Sequence, residues 1–109
     1  MADGISELKS GSWEKEIKDA AGVSTVLFWA PWCGHCRSFE PTFEAVASEM
    51  AGKARFGKVN CDEQENISSE CGIKGTPTVI IYKDGREVDR HTGAESKESL
   101  SKRISGYLA

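Results

Sequence analysis

The spacing of hydrophobic residues along the chain predicts strands that alternate with helices. The run Val23–Ala30 is β-branched and aromatic, with apolar residues on both faces, which is typical of a strand buried on both sides. From Cys33 to about Ala51 the apolar positions recur every three or four residues and predict a helix, in which Pro41 should introduce a kink. Ala54–Asn60 predicts a second central strand.

The residues before the first central strand predict one short strand and one helix. Gly4–Leu8 has the pattern of a short strand. Ser12 is positioned to cap the helix that follows, and Gly22 should end it. Trp13 and Ile17 give this helix an apolar stripe that can face a core.

The second half of the chain predicts a short helix, a β-hairpin and an amphipathic C-terminal helix. The signals are a capping box, an Asp-Gly turn between two β-rich runs, and apolar residues one turn apart after a serine cap. The residues are Asp62, Glu65, Ile67 and Gly72 for the short helix, Thr78–Lys83, Asp84-Gly85 and Glu87–Thr92 for the hairpin, and Ser96, Leu100, Ile104 and Tyr107 or Leu108 for the last helix.

This order of elements predicts an α/β fold with a central mixed β-sheet and helices on both of its faces. Strand–helix alternation in the first half favours parallel strands, and the hairpin adds antiparallel ones. The length of 109 residues predicts a single domain over residues 1–109.

Composition narrows the classes of function. The net charge is −3, with acidic and basic residues mixed along the chain, which argues against nucleic acid as the main ligand. The longest apolar run, Val26–Trp32, is far shorter than the roughly 20 residues of a membrane span. The ends show neither a secretory leader nor a retention signal, so a cytoplasmic protein is expected. A secretory location is the alternative if a leader has been removed.

The candidate chemistry lies in the cysteines. Of the four in the chain, Cys33 and Cys36 have a motif spacing. Residues three apart on a helix have Cβ atoms about 5–6 Å apart, so this pair can close and open a disulfide. A thiolate at Cys33 would lie at the helix N-terminus, where free N–H groups stabilise it. Cys36 lies on the apolar stripe, which predicts that Cys33 attacks a substrate disulfide and Cys36 resolves the mixed disulfide.

Two other uses of this pair are less favoured. A permanent bridge across so short a loop would add little stability by loop entropy. A zinc site needs four ligands, and Cys61, Cys71 and His91 offer no second knuckle spacing. We therefore expect no metal site and no cofactor beyond the redox-active Cys33–Cys36 disulfide. For Cys71 a buried apolar role and regulatory oxidation both remain open, and Cys61 has no assigned partner.

The segments "FWAPWCGHCR", "KVNCDE", "GIKGTPTVIIYKDG" and "TGA", in this order, resemble the thioredoxin family over nearly the whole chain. The resemblance implies the thioredoxin fold and a cis peptide bond between Thr76 and Pro77, packed against the disulfide. It also implies a surface that grips extended substrate, with two alternatives left open: core packing for Trp32 and a simple turn for Gly93. The substrate-binding residues carried over are Trp32, Gly34, Thr76, Pro77, Gly93 and Ala94.

The dipeptide between the cysteines differs from the one that thioredoxins usually carry. Gly34-His35 is typical of protein disulfide isomerase domains, whereas thioredoxins usually carry Gly-Pro there. A histidine beside Cys33 can stabilise the thiolate and so raise the reduction potential. We therefore count His35 with Cys33 and Cys36 as a catalytic candidate. The alternative is a solvated helix histidine.

One position departs from the family pattern. The resemblance implies a buried carboxylate on the strand before the motif, which helps the resolving cysteine lose its proton. Leu27 stands there, while Lys58, expected on the neighbouring strand, is present as a candidate for proton transfer. Our hypothesis is that proton transfer at Cys36 uses water or His35 instead.

The sequence thus favours a thiol–disulfide oxidoreductase, with a general disulfide reductase as first choice. The resemblance implies disulfide-containing substrate proteins and a separate electron donor of the thioredoxin-reductase type. We expect a monomer that binds neither nucleic acid nor membrane. The alternatives are an isomerase or oxidase domain that forms or reshuffles disulfides, and a non-catalytic thioredoxin-like binding subunit.

Overall fold

A computed structural model describes residues 4–108. They contain one five-stranded mixed sheet, together with the helices that pack on it. The strand order is β1-β3-β2-β4-β5. The first three neighbours in this order run parallel, and β4 and β5 join antiparallel, as the sequence predicts. The strands are β1 Ile5–Glu7, β2 Val23–Trp29, β3 Arg55–Asn60, β4 Thr78–Lys83 and β5 Arg86–Thr92.

Helices cover both faces of the sheet. They are a π-helical turn at Glu14–Lys18, α1 Gly34–Glu49, α2 Glu65–Glu70 and α3 Lys97–Ser105. Successive residues of β2 point to opposite faces. Leu27 packs in a core with α1 and α3, whereas Val26 and Phe28 pack with the π-helical turn and α2. The predicted α/β architecture is confirmed.

The first predicted helix is wrong in length and in its cap. The segment forms a single π-helical turn, in which the Asp19 N–H donates to the Glu14 carbonyl at 2.8 Å. Ser12 does not cap it, because its hydroxyl bonds with the backbone of Lys9 at 3.3 Å. Of this segment, only Trp13 and Ile17 pack in the core. Because short helices depend on such packing for their stability, these two contacts support a single helical turn.

The predicted capping box at Asp62 and Glu65 is also wrong. The helix α2 begins at Glu65, and Gln64 precedes it without a side-chain cap. The Asn60 side chain instead accepts from the Asp62 N–H at 3.0 Å, at the end of β3. The Asp62 carboxylate accepts a hydrogen bond from Trp32, so a tertiary contact occupies the group that a cap would need.

The hairpin and the last helix follow the sequence closely. Asp84 and Gly85 form the turn, with φ of 53° and 82°, as a two-residue hairpin of this hand requires. The Ser96 side chain accepts from the Ser99 N–H at 3.1 Å and caps α3 as predicted. The strand β5 begins at Arg86, one residue earlier than predicted, and carries an irregularity opposite Ile81.

Candidate active site

Cys33 lies at the end of the turn that connects the buried strand β2 to α1. The strand β2 ends at Trp29, and the Cys33 N–H donates to the Ala30 carbonyl at 3.1 Å, which closes the connecting turn. Cys33 has extended backbone angles and is the N-cap residue of α1, not its first residue. Its sulfur accepts a hydrogen bond from the Cys36 N–H at 3.2 Å. The thiol therefore faces the unpaired N–H groups of the first helical turn.

Both sulfurs belong to free thiols in a small apolar cluster. Cys33 is 7% exposed and Cys36 is 3% exposed, and they pack with Ala30. Trp29 packs against this cluster from the sheet. The predicted difference in exposure is therefore small, and what separates the two thiols is their hydrogen bonding.

Opposing effects set the two thiols apart. Burial opposes ionisation of Cys33, but hydrogen bonds with the side chains of Cys36 and Thr76, and with the backbone N–H groups of Cys36 and His35, outweigh it, so the pKa of Cys33 is lowered. Burial, and then the hydrogen bond with Cys33, raise the pKa of Cys36. The geometry thus favours a thiolate at Cys33 and a protonated thiol at Cys36.

The loop before β4 lies against Cys33. The peptide bond between Thr76 and Pro77 is cis. The Cys33 thiol donates to the Thr76 carbonyl at 3.5 Å, and the Gly93 N–H donates to the Pro77 carbonyl at 2.7 Å. Three of the predicted substrate-binding residues, Thr76, Pro77 and Gly93, are therefore joined to one another and to Cys33. Ala94 follows Gly93 and is exposed.

Trp32 stands on the surface beside the first cysteine. Its side chain is 71% exposed, so the alternative of core packing is wrong. Its indole N–H donates to the Asp62 carboxylate at 3.1 Å, which holds the ring over the end of β3. Sequence reasoning placed Asp62 in a helix cap and missed its contact with Trp32, although Asp62 follows Cys61 in the segment "KVNCDE" that supports the family resemblance.

Gly34 and His35 form the first turn of α1, and both are exposed. The His35 imidazole therefore lies on the solvent side of the helix, as its helical position predicts. What reaches the sulfur of Cys33 from this residue is its backbone N–H.

Lys58 is engaged by a residue that the sequence analysis did not single out. Its ammonium group donates to the Glu40 carboxylate at 2.6 Å and lies 5.6 Å from the centre of the Trp29 ring. Lys58 pairs with Leu27 across β3 and β2, and Leu27 is buried. The signal for Glu40 was its position one helical turn after Cys36.

Cys61 and Cys71 lie apart from the reactive pair, on the other face of the sheet. Both are half-buried, and burial raises the pKa of each thiol. The Cys71 sulfur lies 3.6 Å from the Tyr82 hydroxyl. Over residues 4–108, no three His, Cys, Asp or Glu side chains cluster as metal ligands would.

The helices described between residues 4 and 108 include none with the length and apolar character that crossing a membrane requires.

Comparison with known proteins agrees with this geometry. The family model named Thioredoxin matches residues 4–106. Thioredoxin M4, chloroplastic, of Arabidopsis thaliana is 38% identical over 104 residues, which are 95% of this chain and 54% of that protein. Thioredoxin 1 of Nostoc sp. is 36% identical over 102 residues, covering 94% of this chain and 95% of that protein.

The likeness extends to Thioredoxin of Porphyra purpurea, which is 34% identical over 105 residues, 96% of this chain and 98% of that protein. Against the chloroplastic M-type relatives of Arabidopsis thaliana and Pisum sativum, this chain spans 54% and 60% of their length. The chain belongs to the thioredoxin family, a family of thiol–disulfide oxidoreductases.

Proposed function

We propose that this chain is a thiol–disulfide oxidoreductase that reduces disulfides in other proteins. One observation carries the proposal: the Cys33 sulfur accepts from the Cys36 N–H in the first turn of α1 and contacts the Thr76 carbonyl of the cis-proline loop. An N–H-stabilised thiolate beside an exposed tryptophan and the cis-proline loop is equipped to attack an extended chain that carries a disulfide.

The reaction takes two thiol–disulfide exchanges. The Cys33 thiolate attacks one sulfur of the substrate disulfide, which forms a mixed disulfide and releases the other substrate sulfur as a thiolate. Cys36 then loses its proton and attacks the Cys33 sulfur. The second substrate thiolate leaves and a Cys33–Cys36 disulfide forms. Two electrons have passed to the substrate, and both released thiolates take up protons.

The residues that surround Cys33 form the proposed substrate-binding surface. The Trp32 ring is exposed and offers an apolar face, while Asp62 fixes its orientation. Gly34 is exposed next to Cys33, and the space beside its Cα is open, since a Cβ atom there would meet nothing within 4 Å. We assign the substrate-binding surface to Trp32, Gly34, Thr76, Pro77, Gly93 and Ala94.

Substitution of the two cysteines tests this assignment. Cys33→Ser should abolish reduction of insulin disulfides by dithiothreitol-fed protein, measured by turbidity. Cys36→Ser should retain the attack and accumulate a mixed disulfide, visible by mass spectrometry, because nothing resolves it. Cys61→Ser is the matched control and should retain full activity, since Cys61 lies on the opposite face of the sheet.

Retained reductase activity in Cys33→Ser would contradict the proposal. Wild-type protein that lacks reductase activity, and whose function survives Cys33→Ser, would instead favour the alternative of a non-catalytic binding subunit.

The partners follow from the same reaction. The oxidised Cys33–Cys36 pair must be reduced again, so we propose a separate reductase as electron donor, with no cofactor bound to this chain. We further propose that residues 1–109 act as a single-domain monomer in the cytoplasm, without nucleic-acid or membrane partners. The mixed surface charge, with a net charge of −3, supports the absence of a nucleic-acid partner.

A second candidate, an isomerase or oxidase that forms or reshuffles disulfides, is favoured by Gly34-His35 between the cysteines. The two candidates differ in reduction potential, by roughly 90 mV between thioredoxin and protein disulfide isomerase. Equilibrating the Cys33–Cys36 couple with glutathione measures it. A reduction potential close to that of protein disulfide isomerase would favour the isomerase or oxidase function over the reductase function.

A further inference from the structure

The second exchange needs a proton acceptor that the first does not. Cys36 is 3% exposed, and its thiol must ionise before it can attack the mixed disulfide. Burial raises the pKa of Cys36, which makes this loss of a proton unfavourable without help. The strand β2 beneath it, with sequence VSTVLFW, offers no ionisable side chain.

We propose that Glu40, held by Lys58, accepts the Cys36 proton during resolution of the mixed disulfide. This inference rests on the proposed function, because it concerns the second step of that reaction. It assigns to α1 a role for which the resemblance implied a carboxylate on β2.

Helix geometry brings Glu40 toward Cys36. The two residues are four apart in α1, so they lie on one side of the helix. Side chains on a helix lean toward its N-terminus and cover the preceding turn. For Glu40 the preceding turn is the one that contains Cys36.

Lys58 fixes the direction of the carboxylate. Its ammonium group donates to Glu40 at 2.6 Å, and their side chains are 20% and 40% exposed, so the pair lies at the edge of the core. An ion pair this exposed stabilises the fold by little, about 0–1 kcal/mol. Its effect here is positional: Lys58 draws Glu40 from solvent toward the strand position next to Leu27.

Trp29 connects this ion pair to the cysteine cluster. The Lys58 ammonium lies 5.6 Å from the centre of its ring, and the same side chain packs against the cluster of Cys33 and Cys36. The Trp29 indole N–H is buried and has no hydrogen-bond partner among residues 4–108. A buried donor without a partner is the kind of group that holds a water molecule. A water bound between this N–H, the Cys36 sulfur and the Glu40 carboxylate would carry the proton from the thiol to the carboxylate.

The other charged side chains near Glu40 and Cys36 are exposed to solvent or hydrogen-bonded to other residues. His35 and Arg37 of α1 are exposed, and the Asp62 carboxylate at the end of β3 accepts from Trp32. The cis-proline loop contributes the Thr76 carbonyl, which accepts from the Cys33 thiol. The ionisable groups on the elements packed around this step include Cys33, His35, Cys36, Arg37, Glu40 and Glu44 at and after the start of α1, Lys58 of β3, and Asp62 after the end of β3.

The step balances as follows. The Cys36 S–H bond breaks and its proton passes to Glu40. The Cys36 sulfur forms a bond to the Cys33 sulfur, and the bond from Cys33 to the substrate sulfur breaks. The departing substrate thiolate takes the electron pair, and Glu40 later releases its proton to solvent.

The aromatic disulfide DTNB isolates this step in the reduced full-length protein. Attack by Cys33 releases one coloured thiolate at a rate that depends on DTNB concentration. Resolution by Cys36 releases a second in a first-order phase that does not depend on that concentration. Stopped-flow absorbance separates the two phases, and the reactions of Cys61 and Cys71 stay in the concentration-dependent part.

Glu40→Gln is the test variant, because it keeps the shape of the side chain and removes the proton acceptor. General-base catalysis typically contributes about 10²–10⁴-fold, and hydroxide makes up part of the loss, so resolution should slow by about 10–100-fold at neutral pH. The attack phase should not change. The deficit should shrink as the pH rises, because hydroxide then deprotonates Cys36 directly. Glu40→Asp should restore part of the rate.

The matched control is Glu44→Gln, one turn further along α1, which should resolve like wild type. Equal resolution rates in Glu40→Gln and wild type would overturn the inference. A deficit of the same size at every pH would overturn it too, since it would reflect a structural effect. If wild type shows no concentration-independent phase and forms no Cys33–Cys36 disulfide, the proposed function itself fails, and the inference with it.

Discussion

Cys33 and Cys36 are the same residue type, three positions apart and both buried, yet their environments differ at single hydrogen bonds. Cys33 accepts from the N–H groups at the start of α1, which lowers its pKa against the effect of burial. Cys36 has burial as its main influence, which raises its pKa. In the proposed function, the order of attack and resolution follows from this difference.

Substitution of His35 tests whether its imidazole raises the reduction potential of the Cys33–Cys36 couple. If the imidazole stabilises the Cys33 thiolate, it stabilises the reduced form and raises the potential. His35→Pro should then lower the potential of the couple by tens of millivolts, within the span of roughly 90 mV between isomerase and thioredoxin. Equilibration with glutathione, followed by quantification of reduced and oxidised protein, measures the shift.

Proline also removes the His35 backbone N–H, which stabilises the Cys33 thiolate, so a second variant isolates the imidazole. His35→Gln removes the ionisable ring without adding proline, and it should shift the potential in the same direction. An unchanged potential in His35→Gln would show that this exposed histidine is only a solvated helix residue.

Between elements, the tip of the hairpin is fixed against the π-helical turn. Gly85 has φ of 82°, and a Cβ atom there would lie 2.0 Å from the Lys18 carbonyl oxygen. Asp84 and Gly22 also exchange hydrogen bonds, at 2.8 and 2.9 Å, so the hairpin tip and the chain that enters β2 hold each other.

Gly85→Ala should therefore destabilise the protein through both backbone strain and a backbone clash. Gly22→Ala is the matched control, because Gly22 has φ of 84° but nothing within 4 Å of an added Cβ atom. The left-handed conformation alone costs about 1–2 kcal/mol, which both variants should lose. Gly85→Ala should lose clearly more, about 3 kcal/mol or beyond. Urea unfolding measures both, and equal losses would contradict the clash.

For the molecule as a whole, buried acids set the stability at alkaline pH. Burial, followed by the neighbouring Cys71, raises the pKa of Tyr82, and burial raises the pKa of Cys36, Cys61 and Cys71. These groups keep their protons when folded and lose them when unfolded. Their contribution to stability is complete below the unfolded pKa, about 8.5 for cysteine and 10 for tyrosine, and is lost above it. Cys33, whose pKa is lowered, acts in the opposite direction.

The free energy of unfolding of the reduced protein should therefore fall as the pH rises through this range. The slope is about 1.4 kcal/mol per pH unit for each proton that the folded state retains. Urea unfolding in dithiothreitol at a series of pH values measures it. Tyr82→Phe should flatten the decline in the tyrosine range, and a stability that stays constant or rises with pH would contradict the prediction.

Local spacing determined most of the fold. The runs Val23–Ala30 and Ala54–Asn60 became β2 and β3, and the Asp84-Gly85 pair became the hairpin turn. Ser96 capped α3, and the i, i+3 spacing brought Cys33 and Cys36 to the start of α1. These features follow from the sequence because strand alternation, helical period, caps and tight turns depend on residues within a few positions of one another.

Only the tertiary structure decided the contacts between residues far apart in the chain. Asp62 lost its predicted capping role because the Trp32 indole reaches it across 30 positions. Glu40 met Lys58 across 18 positions, because α1 packs over the strand beside β2. The predicted first helix shortened to one π-helical turn, since its core contacts anchor no more. The sequence by itself therefore determined the pair of cysteines and the sheet that presents them. The packing of separate elements decided which charged groups surround that pair, because such contacts depend on three-dimensional proximity and leave no local pattern to read.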